Sequence, residues 1–121
     1  MDFFCPNHYG IRVGYASPKL VRALPRAQRR RLQGKAVLVL TASSRYALRR
    51  VRVGTHVAKV ARRLRLGRPF AIGRNRWYVV ADGSGRGVMK VRHGVIDEVG
   101  IANPGLTRTR AGARRFLSSF S

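Results

Sequence analysis

A chain of 121 residues fits one domain around a single hydrophobic core, and an apolar fraction of 45% is too high for a wholly disordered basic tail. Twenty-six Lys and Arg stand against four acids, Asp2, Asp82, Asp97 and Glu98, so the formal charge is +22 and an acidic partner is expected. The longest apolar run, Ala36-Val-Leu-Val-Leu40, is strand length and far short of the roughly 18 residues of a membrane span.

The opening Met1-Asp-Phe-Phe-Cys-Pro-Asn-His8 lacks a basic n-region, an apolar h-region and a small-residue cleavage site. Its reading is cytoplasmic if Met1 is the native start, and extracytoplasmic if a longer exported chain has been trimmed. Cys5 is the single cysteine, so stability comes from packing rather than a disulfide within the chain. Only Lys19, Lys35, Lys59 and Lys90 of the bases are lysine. Such an Arg excess, with much Ala, Gly and Val, is also what GC-rich codons produce, and that reading competes with selection for binding.

In chain order, residues 1–10 read as an N-terminal segment. A short strand starts at Ile11 and turns at Gly14. Ser17 then caps a helix with Pro18 at its first position, Pro25 breaks it, and Gly34 closes it, so 18–33 is a bent or two-part helix. Val37 to Leu40 and Leu48 to Arg52 read as strands. Thr55 is the expected N-cap of a second helix carrying Val57, Val60, Ala61 and Leu64 on one face and stopping at Gly67. Trp77 to Ala81 is β-rich, Asp82 to Gly87 reads as a loop, and His93-Gly94 reads as a two-residue hairpin turn. That register sets Arg92 opposite Val95, Val91 opposite Ile96, and Lys90 opposite Asp97 in a cross-strand ion pair. After Asn103-Pro-Gly105, a basic helix from near Thr107 to Leu117 docks through Ala113, Phe116, Leu117 and Phe120.

Residues 11–54 laid on 51–94 give eleven identities in forty-four positions, where this composition gives about four by chance. The expected fold is therefore α+β: two tandem strand-helix-strand-strand repeats, 11–50 and 51–101, forming an antiparallel sheet with helices on one face, followed by a C-terminal basic helix at 102–121. The expected core joins Val57, Val60, Leu64, Phe70, Trp77, Val79, Val91 and Ile96 to Val13, Leu20, Leu24, Val37 and Val39.

Val53-Gly54-Thr55, the helix Val57 to Leu64, Gly67-Arg-Pro69, Trp77-Tyr78, Val88 to Val91 and Gly94-Val95 through Val99 follow the pattern of a known family. Over 53–101 the chain resembles the small outer-membrane lipoprotein domains of the SmpA/OmlA family and, more distantly, the tandem-repeat β-lactamase inhibitor proteins. It also looks like exported actinobacterial domains without an established activity. It departs from the lipoprotein pattern in lacking a lipobox cysteine and in its excess of Arg. The resemblance implies a helix-on-sheet module that binds another macromolecule and has no catalysis of its own.

The residues themselves offer little catalytic chemistry. Cys5 and His8 supply two potential metal ligands where a structural zinc site takes four, and His56 and His93 fall in separate elements, so no metal or cofactor is expected. No nucleophile elbow is present, and Asp97 and Glu98, adjacent on a strand, point to opposite faces. Gly83-Ser-Gly-Arg-Gly87 joins two strands and offers no helix N-terminus to a phosphate, though Arg86 could make a soft anion contact.

The basic runs carry the remaining signal, because arginine binds phosphate and carboxylate in bidentate fashion. The candidate polyanion-binding set is Arg26, Arg29 and Arg30; Arg62, Arg63, Arg65 and Arg68; Arg74 and Arg76; and Arg108, Arg110, Arg114 and Arg115. These are expected to serve a non-enzymatic interaction module whose partner is an acidic protein or an anionic envelope polymer. The alternative is a sequence-nonspecific nucleic-acid binder in which Tyr46 or Tyr78 stacks bases. Neither reading fixes an oligomeric state.

Overall fold

The computed structural model describes residues 2–4 and 10–120; Cys5 and His8 of the possible ligand pair lie outside them. The strands are β1 (Asp2–Phe4), β2 (Ile11–Tyr15), β3 (Ala36–Thr41), β4 (Ala47–Leu48), β5 (Val51–Arg52), β6 (Phe70–Ile72), β7 (Asn75–Asp82), β8 (Gly85–Arg92) and β9 (Val95–Ala102). The helices are α1 (Pro18–Ala23), α2 (Arg26–Leu32), α3 (Val57–Val60) and α4 (Arg110–Ser118), the last preceded by a 3₁₀ turn at Pro104–Leu106. Among the described residues seven strands form one antiparallel sheet in the order β1-β2-β3-β9-β8-β7-β6, and β4 and β5 form a separate hairpin. The fold is thus α+β, and no described helix is long and apolar enough to cross a membrane.

Punctuation in the sequence sets the helices of the first half. Ser17 Oγ accepts the Leu20 N–H at 3.1 Å, and Leu24 adopts extended backbone ahead of Pro25, which ends α1 and opens α2. Thr109 Oγ1 accepts the Gly112 N–H at 3.0 Å and caps α4, which buries Ala113, Phe116 and Leu117.

The helices do not share one face of the sheet. Along β7, Trp77 and Val79 pack with Leu20, Leu32, Leu106, Phe116 and Leu117, whereas Tyr78 and Val80 pack with Leu48, Val51, Val60 and Leu64. Successive strand residues face opposite ways, so α1, α2 and α4 cover one face while α3 and the β4-β5 hairpin cover the other. The near-continuous apolar run of β7 is the pattern of a strand buried on both sides. The expected single core is accordingly split in two, with Leu20, Val37, Phe70 and Trp77 in one and Val60, Leu64, Val91 and Ile96 in the other.

The forty-residue match does not build two equivalent units. Gly14 lies within β2, where an added Cβ would come 2.4 Å from the Phe120 ring, whereas its counterpart Gly54 turns the chain at φ +92°. β2 lies in the large sheet beside β3, but its counterpart β5 pairs only with β4. α3 is a single turn whose N-cap is His56 rather than Thr55, and the chain leaves it through Arg65 at φ +50° rather than at Gly67. Within the N-terminal segment Asp2–Phe4 form β1, which pairs with β2 in the sheet.

Two turns are tighter than expected and a third is as expected. Arg49 and Arg50, read as strand, form the β4-β5 turn at φ +49° and +65°. Gly83-Ser84 is a two-residue turn, with Gly85 to Gly87 already in β8. His93-Gly94 is the expected turn, with φ of +53° and +74°, and Arg92–Val95 and Val91–Ile96 pair as expected. A bulge then shifts the register so that Lys90 faces Glu98 instead of Asp97.

Candidate polyanion interface

The bulge at Lys90/Val91 decides where the rare negative charge goes. Without it Glu98 would project into the apolar cluster of Ile96 and Val99; with it Glu98 turns to the opposite face, next to Lys90 and across from Arg12 on β2. There Glu98 is 6% exposed, accepts from Arg12 Nε at 2.8 Å and from the Arg12 terminal nitrogen, and takes Lys90 Nζ at 2.9 Å. Lys90 also lies 3.6 Å from Asp97, so both carboxylates reach one amine, contrary to the expectation of opposite faces. This is a partly buried ion-pair group centred on the buried Glu98, and it holds both ion-paired bases, Arg12 and Lys90, seen among the described residues.

Several of the arginines are spent on backbone carbonyls. Arg29 donates to the carbonyls of Leu24 at 2.7 Å and Arg22 at 2.8 Å, closing the C-terminus of α1. Arg63 donates to the Arg49 carbonyl at 3.0 Å across the β4-β5 turn. Arg110 donates to the carbonyls of Arg68 at 3.0 Å and Pro69 at 3.1 Å, and its guanidinium lies 4.3 Å from the centre of the Phe70 ring. Arg110 is therefore a strut between α4 and β6 whose charge remains at the surface.

The thirteen candidate arginines are all exposed, but the fold sorts them into separate places. Arg26, Arg29 and Arg30 are on α2, while Arg62, Arg63 and Arg65 follow α3 on the other face of the sheet. Arg115 lines a concavity with Lys19 and Arg114 between α1 and α4. Arg74 and Arg76 line another beside His93.

One corner gathers more. Two adjoining concavities of about 250 and 480 Å³ share Arg68 and Arg110; Arg86 and Arg108 line the first, and Arg76 and Arg114 the second. Six arginines from four stretches of chain thus line the corner where α4 meets β6, and among the described residues no Asp or Glu lines either concavity. Arg68, Arg76, Arg108, Arg110 and Arg114 belong to the candidate set. Arg86, in the sequence only a soft anion contact of the glycine loop, joins them because α4 folds back toward that hairpin.

Catalytic groupings are a different matter. Among the described residues no three of His, Cys, Asp or Glu lie together, and His56 and His93 are exposed at separate positions. Tyr46, one of the two candidate stacking rings, is 57% exposed but lines an apolar concavity with Ile11, Val39, Leu48 and Ile101. Tyr78 lines the α4-β6 corner and packs in part against the second apolar cluster.

No protein-family model matches the chain, and no curated protein sequence or solved structure compared with it matches either.

Proposed function

We propose that the chain is a non-enzymatic, strongly basic interaction module that holds an acidic macromolecule, an acidic protein or an anionic polymer, at the corner between α4 and β6. The observation that carries this reading is that six arginines line two adjoining concavities that no described Asp or Glu lines. Like charges brought this close repel one another, and an external anion relieves the repulsion. Arg110 is fixed in position by two carbonyls and an aromatic face, so little ordering is lost when an anion meets it. The likeness of 53–101 to SmpA/OmlA-type domains supports the same class of function, a small scaffold that binds a macromolecule.

A nucleic-acid partner is the second reading, and Tyr78 at the corner favours it by placing an aromatic ring near the arginines. The two readings separate in a salt series followed by fluorescence anisotropy with labelled polyglutamate, an anionic glycan, single-stranded RNA and duplex DNA. Tighter binding of polyglutamate or the glycan than of either nucleic acid at physiological salt supports the first reading. A clear preference for RNA or DNA, with a steep log–log salt slope, replaces it with the second.

A further inference from the structure

One of the two edges of the sheet, β6, runs through this corner. β6 pairs with β7 as Phe70–Trp77, Ala71–Arg76 and Ile72–Asn75, closed by the two-residue turn Gly73-Arg74 with Gly73 at φ +58°. In such a hairpin the pair next to the turn exchanges both backbone bonds, and the pattern alternates from there. Ile72 and Phe70 therefore bond to β7, while the N–H and C=O of Ala71 point away from it, to the side where the sheet has no further strand.

The cations stand on both sides of that edge. Ala71 and Arg76 form one cross-strand pair and so share a face, opposite to Phe70 and Trp77, which pack beneath α4. Arg110 and Arg114 come from α4 on the other face, and Arg68 lies just before the strand. The concavity lined by Arg68, Ala71, Arg76, Arg110 and Arg114 wraps around the edge instead of lying on one face. An extended peptide laid along β6 projects alternate side chains to the two faces, so acidic residues would meet Arg76 on one side and Arg110 or Arg114 on the other.

We infer that β6 is a docking edge for an acidic extended peptide, which adds as a strand through the outward N–H and C=O of Ala71 and is held by Arg68, Arg76 and Arg114. This rests on the function proposed above and names the mode of binding and the partner class. The same charges guard the edge against another copy of the chain, since two +22 edges repel.

The test uses fluorescein-labelled (Glu-Glu-Thr)4, which in an extended strand presents acidic side chains to both faces, the same peptide N-methylated at every amide, and a single-stranded DNA of equal charge. N-methylation keeps the charge and removes the donors. Two variants accompany the wild type. Ala71→Pro removes the outward N–H and leaves the ladder bonds of Phe70 and Ile72 in place, a position where an edge strand accepts proline. The double variant Arg76→Ala/Arg114→Ala removes charge and keeps the backbone. The expected result is at least tenfold tighter binding of the unmethylated peptide to wild type, a difference lost in Ala71→Pro, and weakened binding of both peptides to the double variant. Equal binding of the two peptides to wild type overturns strand addition and leaves the polyanion function standing. Preferred binding of the DNA, unchanged by Ala71→Pro, overturns it in favour of a phosphodiester partner. Should Ala71→Pro lose its cooperative melt, the methylated and unmethylated peptides on wild type decide alone. Binding of every probe unaffected by the double variant removes both the inference and the proposed site.

Discussion

Replacing Glu98 with Gln should destabilise the fold more than any other change of a single charge. The carboxylate is 6% exposed and holds Arg12 through both oxygens and Lys90 at 2.9 Å, so the substitution leaves two cations facing each other with a neutral amide between them. Removing one partner from a buried ion pair costs about 3–5 kcal/mol. Two features lower that figure here: the Arg12 side chain is 25% exposed and keeps some water, and Lys90 retains Asp97 at 3.6 Å. We therefore expect a loss of about 2–3 kcal/mol, within the range for breaking a buried charged network. With an unfolding entropy of about 2.1 cal/mol/K per residue, that lowers Tm by roughly 8–12 °C. Urea denaturation followed by tryptophan fluorescence reads it directly, since Trp77 is fully buried in the core on the same face. The triple change Arg12→Leu/Lys90→Met/Glu98→Leu should recover most of the loss, because an apolar replacement of similar volume leaves no unpaired charge. A Glu98→Gln protein within about 0.5 kcal/mol of wild type would show that water already screens the three groups, and the reasoning would fail.

Three further changes test other parts of the structure. Gly100→Ala should abolish cooperative folding or cost several kcal/mol by calorimetry, since the added Cβ would lie 1.9 Å from the Val39 carbonyl oxygen, which belongs to the neighbouring strand. Arg49→Asn with Arg50→Gly should raise stability by about 1 kcal/mol in the same denaturation assay, because both arginines occupy left-handed backbone that costs an ordinary side chain about that much. Arg110→Lys should lower stability by about 1–2 kcal/mol and expose the α4 amides to hydrogen exchange, because an ammonium cannot donate to two carbonyls in a fork and lie flat over Phe70.

Much of the chain order was legible because prolines, glycines and caps act locally. Ser17-Pro18 and Leu24-Pro25 each start or end a helix through contacts within a few residues, and His93-Gly94 turns the chain by its own backbone preference, whereas the last helix starts at Arg110 behind Thr109 and not near Thr107. The features that were not legible depend on partners distant in sequence. Arg49-Arg50 carries no glycine to announce a turn. The bulge at Lys90 is explained only by Arg12, 86 residues from Glu98, and the assignment of α3 to the face opposite α1 follows from what β7 must bury on each side. The same holds for the candidate site. Composition revealed the excess of arginine and listed five of the six that meet at the corner. Only the return of α4 to β6 separated Arg68, Arg76 and Arg114 from the arginines of α2 and brought Arg110 onto the carbonyls before β6, and only the folded backbone gave Arg29 and Arg63 the carbonyls to which they donate.

The central claim is that the corner, rather than the charge at large, binds the polyanion. It is tested most directly by comparing Arg68→Ala/Arg76→Ala/Arg114→Ala with Arg26→Ala/Arg30→Ala/Arg31→Ala on α2, two variants of equal net charge, for binding of labelled polyglutamate at physiological salt. The account predicts at least a tenfold loss for the corner variant and under about threefold for the α2 variant, whose charges act only through the screened overall field. Equal losses in the two variants would contradict it and reduce the interaction to net charge alone.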